Sequence, residues 1–222
     1  MSIKYSEQSR IFRDFRSIPY SDYYYLIRFY EQYYQDIDHL PFDEGLIMSY
    51  YYANALFETQ EYDTHIETSN YILEQSIINN VRYIDGEDVY MTVLHKKTYA
   101  HLKLGEIETA QKLATQLVRL DEKNHFYPIL LRQCFLAKRP SWISSLLKMS
   151  AVTTVIGAIV TIIFSSFYQS LPELTIVIPY ALLLVAMIGL FVTAIAYYKH
   201  IIAPVRQILK QAQIDKANSG KL

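Results

Sequence analysis

Through the first 138 residues, apolar positions recur at steps of three and four, the period of a helix with one buried face. From residue 149 the polar positions nearly stop. Residues 149–168 and 174–198 are runs of about 20 and about 25 residues without a charge. Each is long enough to cross a hydrocarbon core about 30 Å thick. The link between them, 169–173, is too short for any arrangement but antiparallel neighbours.

The periodic part predicts a series of helices. Residues 1–18 read as an N-terminal arm or short helix, with Ile11, Phe12 and Phe15 on a small apolar face and Pro19 ending it. Ser21 or Asp22 offers an N-cap for a helix over 23–37, because either side chain can accept from the orphan N–H groups of a first turn. Further helices are expected over 42–58, 62–78, 89–104, 106–120 and 129–138. Leu46, Tyr50, Ala53 and Leu56 to Phe57 are inward in the helix over 42–58, and Ile66, Tyr71, Leu73 and Ile77 are among the apolar residues of the helix over 62–78. Residues 79–88 form the longest interruption and contain the turn cluster Asp85-Gly86-Glu87-Asp88. No strand-type alternation stands out, so 19–138 is expected to be an all-α cytoplasmic domain of antiparallel pairs.

Charge changes the picture by dividing the chain. Residues 1–138 carry 14 Lys and Arg against 20 Asp and Glu, a net of −6, whereas 139–222 carry 7 against 2, a net of +5. An acidic body argues against nucleic acid as a partner, since phosphate binding needs a basic face. The basic tail suits anionic lipid headgroups. Positive charges flank both apolar runs and are absent from the 169–173 link. The positive-inside rule then places both termini in the cytoplasm and the link outside. Trp142, Lys148, Tyr168, Tyr197, Tyr198 and Lys199 fall where membrane-interface residues belong. Gly157, Ala158, Ala186 and Gly189 are small enough to let helices approach, and Thr153, Thr154 and Thr193 can bond backbone carbonyls.

The segment Lys103 to Ala110 ends one helix, turns at Gly105 and starts another, and Leu120-Asp121 closes the second. This resembles a tetratricopeptide repeat over residues 91–124, with Ala100, Gly105, Ala110, Leu120 and Asp121 at that family's packing positions. A weaker copy covers 46–78, offset by 45 residues, with Ala55 and Tyr62 in place, Gln60 where the turn Gly would be and His65 where a small Ala would be. The resemblance implies stacked helix–turn–helix units with a concave face that holds a protein partner. After the second run, Pro204-Val205-Arg206 resembles the opening of a HAMP linker helix. The reading adopted is a basic amphipathic tail over 199–222 lying on the inner leaflet, with Val205, Ile208, Leu209 and Ala212 apolar.

Searches for chemistry return little. There is no Gly-rich phosphate loop, no HExxH and no i,i+4 histidine pair. The acids at 85–88 lack EF-hand spacing. Cys134, the single cysteine, lies on an apolar helix and reads as a packed core residue. No catalytic, cofactor-binding or metal-ligating residue is assigned, and no cofactor. The 21 tyrosines either fill half-buried helix positions or form an aromatic recognition surface. The expected role is a membrane-anchored scaffold that recruits a protein partner. The alternative is an oligomerising membrane effector, a homo-oligomer through its hairpin, controlled by the helical domain.

Overall fold

A computed structural model describes residues 9–167 and 172–219. Its elements in order are α1 (Arg10–Arg16), α2 (Tyr23–Gln32), α3 (Tyr34–Ile37), α4 (Phe42–Glu58), α5 (Tyr62–Ile78), β1 (Tyr83–Ile84) and β2 (Glu87–Asp88). They continue with α6 (Val89–Lys103), α7 (Ile107–Leu120), α8 (Phe126–Ala137), α9 (Ser141–Phe167), α10 (Pro172–Tyr197), a π-helical turn (Tyr198–Ile202) and α11 (Ala203–Ser219). They divide into two compact units, Met1–Cys134 and Phe135–Leu222.

The first unit is built on α4, which packs against α1, α2, α5 and α6. Leu46, Ile47, Met48, Tyr50 and Leu56 of α4 are all fully buried. Each contributes about 2 kcal/mol of hydrophobic stabilisation relative to exposure. Around it, α5 packs on α6 and α6 on α7, so successive helices pair along the chain. Asp22 caps α2, accepting from Tyr25 N–H at 3.3 Å. Ser9 caps α1 in the same way.

Two of the pairs are joined by the same turn. At the end of α4, Gln60 has φ +67° and Gly105 at the end of α6 has φ +81°. Glu61 N–H donates to Leu56 C=O and Glu106 N–H to His101 C=O, both at 2.9 Å. Gln60 N–H reaches Phe57 C=O, and Gly105 N–H reaches Leu102 C=O. These are matching Schellman caps, displaced by the 45 residues of the sequence repeat. The body is therefore a set of packed helix–turn–helix pairs compatible with a helical repeat. A left-handed residue with a Cβ costs about 1 kcal/mol more than glycine. Gln60→Gly is expected to stabilise the body by about 1 kcal/mol and Gly105→Ala to destabilise it by about the same. Urea unfolding of the two variants checks this; equal effects of one sign would show that the turns are not equivalent.

The structure differs from the periodicity in several places. The helix expected over 23–37 breaks at Tyr33 (φ −105°, ψ 17°), leaving α3 as a single turn and Tyr34 62% exposed. This stretch is rich in aromatic residues, which are weak helix formers. Of the apolar residues of α5, Ile77 is 65% exposed and Tyr71 is also on the surface. The inner side of α5 instead carries His65, Ser69, Ile72, Leu73 and Ser76. Hydrophobicity misplaces that face because its polar members are satisfied internally. Residues 83–88 form a two-stranded hairpin, pairing Tyr83 with Asp88 and Ile84 with Glu87. Asp85 and Gly86 both have positive φ, as a tight two-residue hairpin loop requires. Helix α8 begins at Phe126, three residues before the expected start, with Pro128 tolerated in its first turn.

In the second unit α9 and α10 pack together. The first helix starts at Ser141, so Lys148 lies within it rather than before it. Ser150, Gly157, Ala186, Thr193 and Ala196 are buried, whereas Ala158 is exposed. A Cβ added at Gly189 would lie 3.2 Å from the Ser150 Cβ, so glycine permits the close approach there. Thr153, Thr154 and Thr193 each donate to the carbonyl four residues back, at 2.8, 2.8 and 2.6 Å. These bonds satisfy their hydroxyls within their own helices. Both helices are long and apolar enough to cross a membrane, and only 11% and 22% of their most apolar windows are buried. A core helix of a soluble protein would be mostly covered.

The helix of the basic segment, α11, starts at Ala203, with Pro204 in its first turn. Helix α10 runs through the π turn directly into α11. Ala203 N–H donates to Tyr198 C=O, five residues back. Pro204 has no N–H, and its ring crowds the carbonyl four residues earlier, which the widened turn accommodates. Val205 and Ala212 are buried and Ile208 and Leu209 half-buried, while Arg206, Lys210 and Lys216 are exposed.

Candidate functional site

The repeat-packing residues separate into two groups. Ala55, Ala100 and Ala110 are completely buried, where only a small side chain lets the paired helices meet. Tyr62 is half-buried, its ring 6.0 Å from that of Phe57. Leu120 does not pack inward: it is the last residue of α7 and 50% exposed, and the helix turn places Leu117 and Val118 inside instead. Asp121 closes α7 by donating its N–H to Leu117 C=O, and its carboxylate accepts from Lys123 N–H.

His65 is 1% exposed. Its Nδ1–H donates to Ala53 C=O at 2.8 Å, since a carbonyl can only accept, and Nε2 accepts from the Ser69 hydroxyl at 3.2 Å. The ring therefore bridges α4 and α5 as the neutral tautomer. Burial depresses its pKa to about 4 from the ordinary 6.5, with the charges of Lys96 and Lys97 acting in the same direction. It fills the position where the second pair has Ala110.

The tyrosines are not uniform. Tyr50 is buried and donates to the Glu87 carboxylate, tying the hairpin to α4. Tyr51 donates to Asp85 at 2.5 Å and stacks on Tyr20 with ring centroids 4.2 Å apart. Arg16 pairs with the same Asp85 at 2.5 Å. Lys96 pairs with Glu58 at 3.2 Å and lies over the Phe57 ring. Arg16, Tyr20, Tyr51, Glu58, Asp85 and Lys96 line a cleft of about 600 Å³ formed by α1, α4, α6 and the β1–β2 turn. Its charges largely neutralise one another. The acids of residues 85–88 serve guanidinium, phenol and backbone partners here, Asp88 capping α6 through Met91 N–H.

A second cleft, of about 800 Å³, lies between α2–α3 and α5, with α4 as its floor. Tyr30 and Tyr52 stack at 4.1 Å, and Tyr34 meets Tyr30 edge-on at 6.3 Å. The Tyr30 hydroxyl shares a hydrogen bond with Ser49 Oγ at 2.9 Å, and Tyr52 donates to Glu31 at 3.3 Å. Burial raises the Tyr30 and Tyr71 hydroxyls above the usual phenol range, and the Asp38 carboxylate adds to both. Tyr52 is raised by burial and then by Glu31. This cleft draws its lining from residues 30–71, and helical periodicity alone does not bring those side chains together.

At the interface positions, Trp142 is half-exposed and its ring edge meets His200 at 6.3 Å. Lys148, Tyr198 and Lys199 are exposed and Tyr197 is half-buried. Tyr168 and residues 169–171 of the link lie outside the described residues, and Pro172 and Glu173 open α10. Cys134 is fully buried, and burial pushes its thiol up to about 11. Among the described residues no three His, Cys, Asp or Glu side chains form a metal-binding group.

No family model, curated protein or solved structure matches the chain. Its class therefore rests on its own geometry: an all-helical body of packed pairs, with two further helices of membrane-spanning length and composition.

Proposed function

We propose that this chain is a membrane-anchored scaffold whose body, a tetratricopeptide-like array, recruits a protein partner to the membrane. The reading rests most on one conjunction: open, tyrosine-lined clefts on a repeated helical body, and two helices whose apolar faces are left uncovered. The repeated Schellman turns and buried alanines support the tetratricopeptide-like assignment. The flanking positive charges support cytoplasmic termini and an external link. Gly157, Ala186 and Gly189 pack within the hairpin, so a homo-oligomer would use the outer faces of α9 and α10.

The full chain is expected to remain with membranes through an alkaline carbonate wash and to leave only with detergent. A cysteine placed in the 169–173 link is expected to react with a non-permeant label in intact cells, while tags at either terminus stay shielded. Release by carbonate would overturn the anchor, and labelling of the termini would overturn the orientation. Crosslinking in membranes tests recruitment: a partner captured by the full chain is expected to be lost when residues 19–138 are deleted.

A further inference from the structure

We infer that the cleft between α2–α3 and α5 is a docking site for a lysine- or arginine-bearing segment of the recruited partner. This rests on the scaffold reading and names the chemistry of the segment it holds. The lining supplies both halves of cation recognition. Tyr34 and Tyr71 are exposed at the rim, where a ring can attract a cation through its quadrupole, and the stacked Tyr30 and Tyr52 form the buried floor. Glu31, Asp38 and Glu67 are all exposed within reach of the same space. The lining contains no lysine, arginine or histidine. None of the three carboxylates makes an ion pair among the described residues; the hydrogen bond from Tyr52 to Glu31 is neutral on the donor side.

The contrast with the 600 Å³ cleft is the decisive comparison. There, Arg16 and Lys96 already occupy Asp85 and Glu58, and they lie against Phe12, Tyr20, Tyr51 and Phe57. The protein thus satisfies one tyrosine-and-acid surface with its own cations. Among the described residues the other, also lined by tyrosines and acids, has none. The inner rings are held in place, Tyr30 and Tyr52 being stacked and 8% and 6% exposed, while Tyr34 and Tyr71 are 62% and 46% exposed at the rim. A fixed floor with an open rim suits an elongated, charged segment inserted from solvent. At about 800 Å³ the space exceeds a single side chain and accommodates several residues of peptide. The net charge of −6 on residues 1–138 favours approach of a basic partner.

Selection from a random peptide library on the detergent-solubilised full chain tests this. Lysine or arginine is expected to recur at fixed positions in the selected peptides. Replacing those positions by glutamine should weaken binding about tenfold. The same loss is expected from Glu31→Gln with Asp38→Asn, and from Tyr34→Ala with Tyr71→Ala, all at exposed positions where folding is little affected. A control pair outside the lining, Asp14→Asn of α1 with Glu108→Gln of α7, should change affinity less than about twofold. Equal losses from cleft and control pairs would overturn the proposal by showing general attraction to an acidic surface. Selected peptides without a basic preference, or binding of choline with no peptide selected, would also overturn it. In membranes, the crosslinked partner should be lost with the cleft variants. Capture retained by those variants would overturn the cleft while leaving the anchored scaffold intact.

Discussion

Lowering the pH from 6.5 to 4 is expected to remove about 3 kcal/mol of the helical body's stability through His65 alone. The ring is neutral in the folded chain, where its pKa is about 4, and ionises near 6.5 once exposed. Between those values the unfolded chain binds a proton that the folded chain does not. The stabilising contribution is therefore whole above pH 6.5, declines as pH falls and is gone by pH 4. Its cause is burial: a charged ring is disfavoured in the dry site where Nδ1–H donates to Ala53 C=O and Nε2 accepts from Ser69. His95, also lowered by burial, adds a smaller contribution of the same sign. Urea unfolding of the full chain in detergent, followed by tyrosine near-ultraviolet dichroism between pH 7 and 5, measures the slope ahead of general carboxylate titration. H65Q should flatten it. An unchanged slope in that variant would assign the pH dependence elsewhere.

Ala55→Leu and Ala100→Leu are each expected to destabilise the body by about 3 kcal/mol. Both alanines are completely buried and stand 45 residues apart, at corresponding positions of the two helix pairs. Added methylenes there must push the paired helices apart or force strained rotamers. Leu120→Ala serves as the comparison. That side chain is half-exposed, so its loss should cost no more than about 0.5 kcal/mol. Thermal unfolding of the three variants decides the matter. A small cost for either alanine would mean that its helix pair is loosely packed and that the two pairs are not equivalent.

Much of the fold was legible because its punctuation is local. Pro41 and the turn at Gln60-Glu61 bound α4 and α5, and the boundaries expected for both helices are those observed. The long uncharged runs announce α9 and α10 by length alone. Other features depend on partners that periodicity does not name. Ile77 is apolar yet exposed, whereas α5 buries His65, Ser69 and Ser76, because each finds a hydrogen bond. The β1–β2 hairpin is too short for alternation to register, although Asp85-Gly86 carries its turn chemistry. The break at Tyr33 sets the α2–α3 wall of the larger cleft, and no glycine or proline marks it. The cleft itself joins residues from four helices, so its tyrosines and acids acquire a shared role only once those helices are packed.

The π turn at Tyr198–Ile202 also sets rotational phase. Upstream, the buried positions among the described residues of α10 are Ala186, Thr193 and Ala196; downstream they are Ile201, Val205 and Ala212. The step from Ala196 to Ile201 is five residues, which in an uninterrupted α-helix would swing the side chain about 140° away. The wider turn absorbs one surplus residue and brings Ile201 back into line. One continuous buried seam therefore runs from the apolar span into the basic segment. The azimuth of Arg206 and Lys210 about the helix axis is fixed by that single inserted residue.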